Sequence, residues 1–150
     1  MSLAFPKLTH LNMSQNNLEG PIPSKISGIH LEFLDLSVNI LSGEVPGDLA
    51  IGSPQLFYLR FLKQQVERTN IFGGDASRNN FTGEIPRRIR DDTRLLQLDL
   101  SKNHLEGSIP VEICNLKLIQ VLAISENRLS GFIPSCVSSL LNVDTIYRSY

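Results

Sequence analysis

Few residues in this 150-residue chain are of a type and spacing that could do chemistry. Asp35 and Asp99 recur at one position of a repeated pattern, and paired carboxylates can divide acid and base roles within a cleft. No cleft residue is on hand to pair with either, so they read as surface and hydrogen-bonding groups rather than catalysts. His10, His30 and His104 fall at unlike places in the pattern and make no metal set with the acids. Neither a glycine-rich phosphate loop followed by lysine nor the signature residues of a kinase occur. The expectation is a non-enzyme with no metal and no cofactor. A net charge of -1, with basic residues scattered apart from Arg87, Arg88 and Arg90, gives no field that would gather nucleic acid or an anionic membrane. The apolar runs are far shorter than the roughly 18 residues a membrane helix needs. The opening stretch, Met1 to Lys7, has neither the leader nor the cleavage site of a signal peptide.

What organises the chain is repetition. One phrase, complete in Asn103-His104-Leu105-Glu106-Gly107-Ser108-Ile109-Pro110, occurs five times, led by Asn16, Asn39, Asn79, Asn103 and Asn127 at intervals of 23, 40, 24 and 24 residues. Ahead of four of these asparagines stands an apolar frame: Leu8, Leu11, Met13; Leu31, Leu34, Leu36; Leu95, Leu98, Leu100; Ile119, Leu122, Ile124. The alternation of the last two members is the period of a short strand with one buried face. A turn buried inside a stack needs its main-chain groups satisfied, and asparagine carries donors and an acceptor for that, so the five asparagines are expected to form a structural ladder. The glycine eases the next bend, the proline fixes φ, and stretches such as Val111 to Leu116 suit a turn of helix or 3-10 helix.

This pattern resembles the plant-type leucine-rich repeat, whose consensus runs Leu-x-x-Leu-x-Leu-Ser-x-Asn-x-Leu-x-Gly-x-Ile-Pro, and is most like the ectodomains of plant receptor-like proteins. The resemblance covers the chain except about residues 60–76. It implies an α/β solenoid, a right-handed superhelix with a short parallel sheet on the concave face and 3-10 or irregular turns on the convex face. It also implies recognition of a peptide or protein ligand in defence or developmental signalling, with a co-receptor kinase as partner, at the outer face of the plasma membrane or in the apoplast. A secreted polygalacturonase-inhibitor-like protein is the alternative, and a truncated gene product with no function of its own is the third reading.

Residues 1–150 read as one domain of five to six repeats without caps, hence as an internal fragment or a truncated product. The 40-residue interval fits two descriptions. Either the coil begun by Leu56, Leu59 and Phe61 carries an insertion of about 15 residues, or two coils, the second begun by Ile71, Gly74 and Ala76, are fused with loss of about nine. A lesion is the preferred reading over a functional island. Cys114 and Cys136, 22 residues apart, lie on neighbouring coils two positions out of register. We expect two small buried thiols rather than a cross-coil disulfide, which would need Cα atoms within ~7 Å.

The residues between the frame positions should face solvent on the inner curve. The ligand face expected from them comprises His10, Glu32, Phe33, Asp35, Phe57, Tyr58, Arg60, Gln97, Asp99 and Gln120, with Asn12 and Ala123 beside them. Phe33, Phe57 and Tyr58 could form an aromatic patch flanked by Glu32 and Arg60; mutual packing across strands is the plainer reading. Two sequons, Asn12-Met13-Ser14 and Asn80-Phe81-Thr82, make Asn12 and Asn80 candidate glycosylation sites, Asn12 on the outward strand face and Asn80 in an exposed turn.

Overall fold

A computed structural model describes residues 7–23, 30–47, 58–60, 79–88, 94–140 and 145–147. In chain order its strands are β1 (His10–Asn12), β2 (Glu19–Gly20), β3 (Phe33–Asp35), β4 (Ile40–Glu44), β5 (Tyr58–Arg60), β6 (Asn80–Thr82), β7 (Gln97–Asp99), β8 (Glu106–Ser108), β9 (Val121–Ala123), β10 (Arg128–Ser130) and β11 (Thr145–Tyr147). β1, β3, β5, β7, β9 and β11 pair in that order as one parallel sheet, one strand from each turn of a solenoid. Equivalent residues stand side by side: Leu11, Leu34, Leu59, Leu98, Leu122 and Ile146 form one row through all six strands. Leu34, Leu59, Leu98 and Leu122 are buried, so this row is the wall where sheet meets core.

The rest of the core comes from the other frame positions and from the phrase. Leu31, Leu36, Leu95, Leu100, Ile119 and Ile124 bury on one side; Leu41, Phe81 and Leu105, with Ile22, Val45 and Ile85, close the other. Full burial of such a side chain contributes roughly 1.5–3 kcal/mol, and because each coil covers only its neighbours, that gain exists only in the stack.

The phrase does more than turn. β2, β4 and β6 form a second parallel sheet, β8 and β10 a third, and a bridge between Glu84 and Glu106 links the two. This flank of strands was not anticipated. Its register is slipped: Gly20 faces Leu41, Gly43 faces Phe81 and Gly107 faces Leu129, so each glycine meets the residue two places earlier in the next coil's phrase. A slip of two keeps every side chain on its own face of the pleat. The phrase glycines adopt φ between 78° and 82°, the left-handed region that a Cβ disfavours, so at these positions the residue type is dictated by the backbone.

The asparagine ladder lies between the two sheets. Asn39, fully buried, donates to the carbonyls of Met13 (2.9 Å), Leu36 (3.1 Å) and Ser37 (3.2 Å), and its Oδ1 accepts from Leu18 N at 3.0 Å. Asn103 Oδ1 accepts from Phe81 N (3.2 Å), and Asn127 Oδ1 from Leu105 N (3.0 Å). Each asparagine thereby satisfies its own turn and the main chain of the preceding coil. Asn16, on the first described coil, is exposed and bonds only its own turn, at Met13 O and Ser14 O.

The long interval resolves to the first of its two descriptions. β5 is hydrogen-bonded between β3 and β7, and Asn79 accepts from Leu41 N (3.1 Å) and donates to Leu36 O (2.9 Å), the groups of the coil that holds β3. Leu59 and Asn79 therefore belong to one coil. From the central strand leucine to the asparagine is five residues in the coils of Leu34, Leu98 and Leu122 but 20 here, so 20 − 5 = 15 residues are inserted after the strand. The alternative strand at Ile71, Gly74 and Ala76, and the polar stretch around it, lie outside the described residues.

On the convex side the described helical elements are 3-10 turns, Val111–Asn115 and Ser135–Ser139, each entered from a phrase proline, Pro110 and Pro134. They carry the two cysteines, and these are bonded: Cys114 and Cys136 form a disulfide with Cα atoms 5.9 Å apart. The expectation of two free thiols is overturned. Its reason is the same slip of two that offsets the second layer. Cys114 stands 11 residues after Asn103 and Cys136 nine after Asn127, so a two-residue offset in sequence becomes direct opposition in the stack.

Candidate functional site

The concave sheet presents two rows between its buried leucines. The first runs His10, Phe33, Tyr58, Gln97, Val121, Thr145; the second runs Asn12, Asp35, Arg60, Asp99, Ala123, Tyr147. For β5 and β11 the backbone fixes these places in the rows. Phe57 lies outside the described residues.

Of the expected face, His10 is exposed and Phe33 and Gln97 are half-buried within the first row. Glu32 and Gln120 are one residue outside their strands, where their main-chain N–H groups donate to Thr9 O (2.8 Å) and Leu96 O (2.8 Å), so they edge the face rather than line it. Val121 fills the row position beside Gln97, which sequence frame counting missed because it was taken for the edge of a buried stretch. The aromatic feature present is different in membership from the expected one. His10 and Phe33 stack with ring centroids 5.9 Å apart and planes 20° apart, and Tyr58 follows Phe33 in register. Cross-strand packing thus accounts for Phe33, with histidine as its partner.

The second row is built differently. Asp35 and Asp99 are each 6% exposed. Asp35 Oδ1 accepts from both the main chain (2.9 Å) and the hydroxyl (2.5 Å) of Ser37, and Asp99 Oδ1 accepts from Ser101 N (3.1 Å) and the Ser101 hydroxyl. Asn12 does the same with Ser14, at 2.9 and 2.7 Å. These side chains pin the chain as it leaves the strand. Arg60 stands in register between Asp35 and Asp99, which makes the row charged but close to balanced.

Of the sequon residues, Asn12 is exposed on β1, whereas Asn80 is half-buried at the head of β6, opposite Ser42, and not in an exposed turn. Among the described residues no group of three or more His, Cys, Asp or Glu converges on a point that could hold a metal, and no helix is long and apolar enough to cross a membrane.

A parallel sheet that adds one short strand per coil, an asparagine ladder and a 23- to 24-residue period are on the page together, and the Leucine Rich Repeat family model matches residues 7–29, 30–50, 94–116 and 118–140. The chain belongs to the leucine-rich-repeat family. Among curated proteins it is similar to Cuscuta receptor 1 of Solanum lycopersicum, 61% identical over 129 residues that take in 64% of this chain and 12% of that protein. Among solved structures it is similar to a TDR receptor, at 30% identity and TM-score 0.79, over 95% of this chain and 22% of that one. It is likewise similar to the Arabidopsis receptor kinase HAESA, solved with the peptide hormone IDA and the co-receptor SERK1, at 26% identity and TM-score 0.77 over 95% of this chain and 22% of that chain. This leucine-rich-repeat chain therefore spans about an eighth of the curated receptor and about a fifth of each solved ectodomain.

Proposed function

We propose that the chain is a recognition segment of a plant cell-surface receptor-like protein, binding a peptide or protein ligand on its concave sheet without catalysis and signalling through a co-receptor kinase. The observation that carries this reading is the in-register first row. Its side chains are held by a rigid stack, yet His10, Phe33 and Gln97 are not consumed by the core. Rows of this kind suit an extended ligand, because main-chain register places side chains at regular steps along it. The likeness to an ectodomain solved with a peptide hormone and a co-receptor supports the choice of ligand and partner. The Cys114–Cys136 disulfide supports an oxidising, extracellular setting.

His10, Phe33, Tyr58, Gln97 and Val121 are proposed as the ligand contacts, with Glu32 and Gln120 at the rim, and Asn12 and Asn80 as glycan acceptors. Asp35 and Asp99 would act mainly by holding the chain after each strand. Selection of a displayed random peptide library on the immobilised protein tests the reading. Enrichment of related sequences whose binding is lost on thermal unfolding is expected; recovery of unrelated sticky peptides alone would contradict it.

A further inference from the structure

Three of the described coils end their concave strand in the same clip. An oxygen of the second-row side chain accepts from both the N–H and the hydroxyl of the serine two residues on: Asn12 with Ser14, Asp35 with Ser37, Asp99 with Ser101. The fifth coil keeps the serine and loses the acceptor. Its second-row residue is Ala123, whose methyl group offers no oxygen to Ser125.

Both donors of Ser125 are consequently without a partner among the described residues. They are also reachable: Ser125 is half-buried, whereas Ser37 and Ser101 are 8% and 4% exposed. The serine is nonetheless fixed in direction, because its carbonyl accepts from Lys102 N at 2.9 Å and from Asn127 Nδ2 at 3.2 Å. The nearest charges, Lys102 and Glu126, pair with each other at 3.5 Å, so binding here depends on the two donors rather than on a net field. Ala123 itself is only 5% exposed, so an incoming group meets the serine and not the methyl.

We propose that Ser125 is a carboxylate-binding subsite of the concave face, in which an acidic group of a bound peptide supplies the oxygen that Asp35 and Asp99 supply in their own coils. An ionised acceptor is the best fit, because it strengthens both hydrogen bonds and because two of the three internal occupants are carboxylates. The source is either a peptide C-terminus or an Asp or Glu side chain. This inference rests on the concave sheet being the ligand face, but its test does not.

The experiment is a titration of the full chain with sodium acetate at constant ionic strength, read by the amide resonances of Ser125 and Ser101. Acetate should move Ser125 saturably and leave Ser101 in place, while acetamide moves neither. In Ala123→Asp the clip is closed from within, so Ser125 should start displaced and no longer respond. Acetyl-Gly-Gly with a free C-terminus and acetyl-Asp amide then separate the two sources, and a response to either supports the subsite. An unmoved Ser125, an equal response to acetamide, or an undiminished response in Ala123→Asp would overturn it. A failed peptide selection on a protein whose Ser125 still binds acetate would count against the face reading alone.

Discussion

The side-chain amide of Asn79 donates to the carbonyl of Leu36, 43 residues earlier in the chain, at 2.9 Å. Asn39 donates to that same carbonyl at 3.1 Å from within its own coil. Leu36 O is thus shared by two successive rungs of the ladder, as Leu100 O is shared by Asn103 (3.1 Å) and Asn127 (3.0 Å). The stack is continuous across the 15-residue insertion. Whatever the inserted residues do, the coil that bears them keeps both its strand and its rung.

The ladder should dominate stability in proportion to burial. Asn39→Ala strands the Leu18 N–H and deprives three carbonyls of a donor, and a buried group left unsatisfied costs about 1–3 kcal/mol. A loss of about 3 kcal/mol or more is expected from urea denaturation. Asn16→Ala, at an exposed rung bonding only its own turn, should cost about 1 kcal/mol or less. Equal losses at the two positions would contradict the inter-coil role.

The disulfide closes a short loop across two coils. For a sequence separation of 22, chain-entropy arguments give a stabilisation of about 3 kcal/mol. Cys136→Ser should lower the melting temperature accordingly, and a thiol reductant should lower that of the parent chain but leave the variant where it is.

Val38 occupies left-handed backbone at φ 55°, a conformation that a β-branched residue tolerates poorly. Its counterparts Gln15, Lys102 and Glu126 share the angle without the branch. Val38→Asn should therefore stabilise the chain, by about 1 kcal/mol in the same denaturation assay.

Gly107 carries a steric as well as a conformational constraint. Its φ is 78°, and an added Cβ would lie 3.0 Å from Glu84 Cγ. Gly107→Ala should cost about 1–2 kcal/mol from the backbone alone. Adding Glu84→Ala should recover the steric part and leave the backbone part, which a double-mutant cycle in denaturant separates.

The repeat made much of this legible in advance. Period-2 leucines located the concave strands, and buried turn backbone demanded the asparagines, because both follow from local chemistry repeated five times. What escaped depends on how coils sit against one another. The two-residue slip of the phrase layer is a property of the stack, so neither the flanking sheet around Gly43 and Phe81 nor the bonding of Cys114 to Cys136 could be counted off a single coil. The same holds on the face itself: Asp35 and Asp99 looked like ligand contacts from their spacing, but the serines two residues on occupy their oxygens. His10 became the partner of Phe33 only once β1 and β3 were in register.

The central claim is that the concave first row recognises a peptide, and its most direct measurement is the affinity of a selected peptide for variants on different faces. Phe33→Ala and Gln97→Ala should each weaken binding at least about tenfold, roughly 1.4 kcal/mol, with unchanged melting curves. Arg128→Ala on the flank and Lys117→Ala on the convex side should leave it unchanged. Affinity that is indifferent to Phe33 and Gln97 but falls with Arg128 or Lys117 would contradict the assignment.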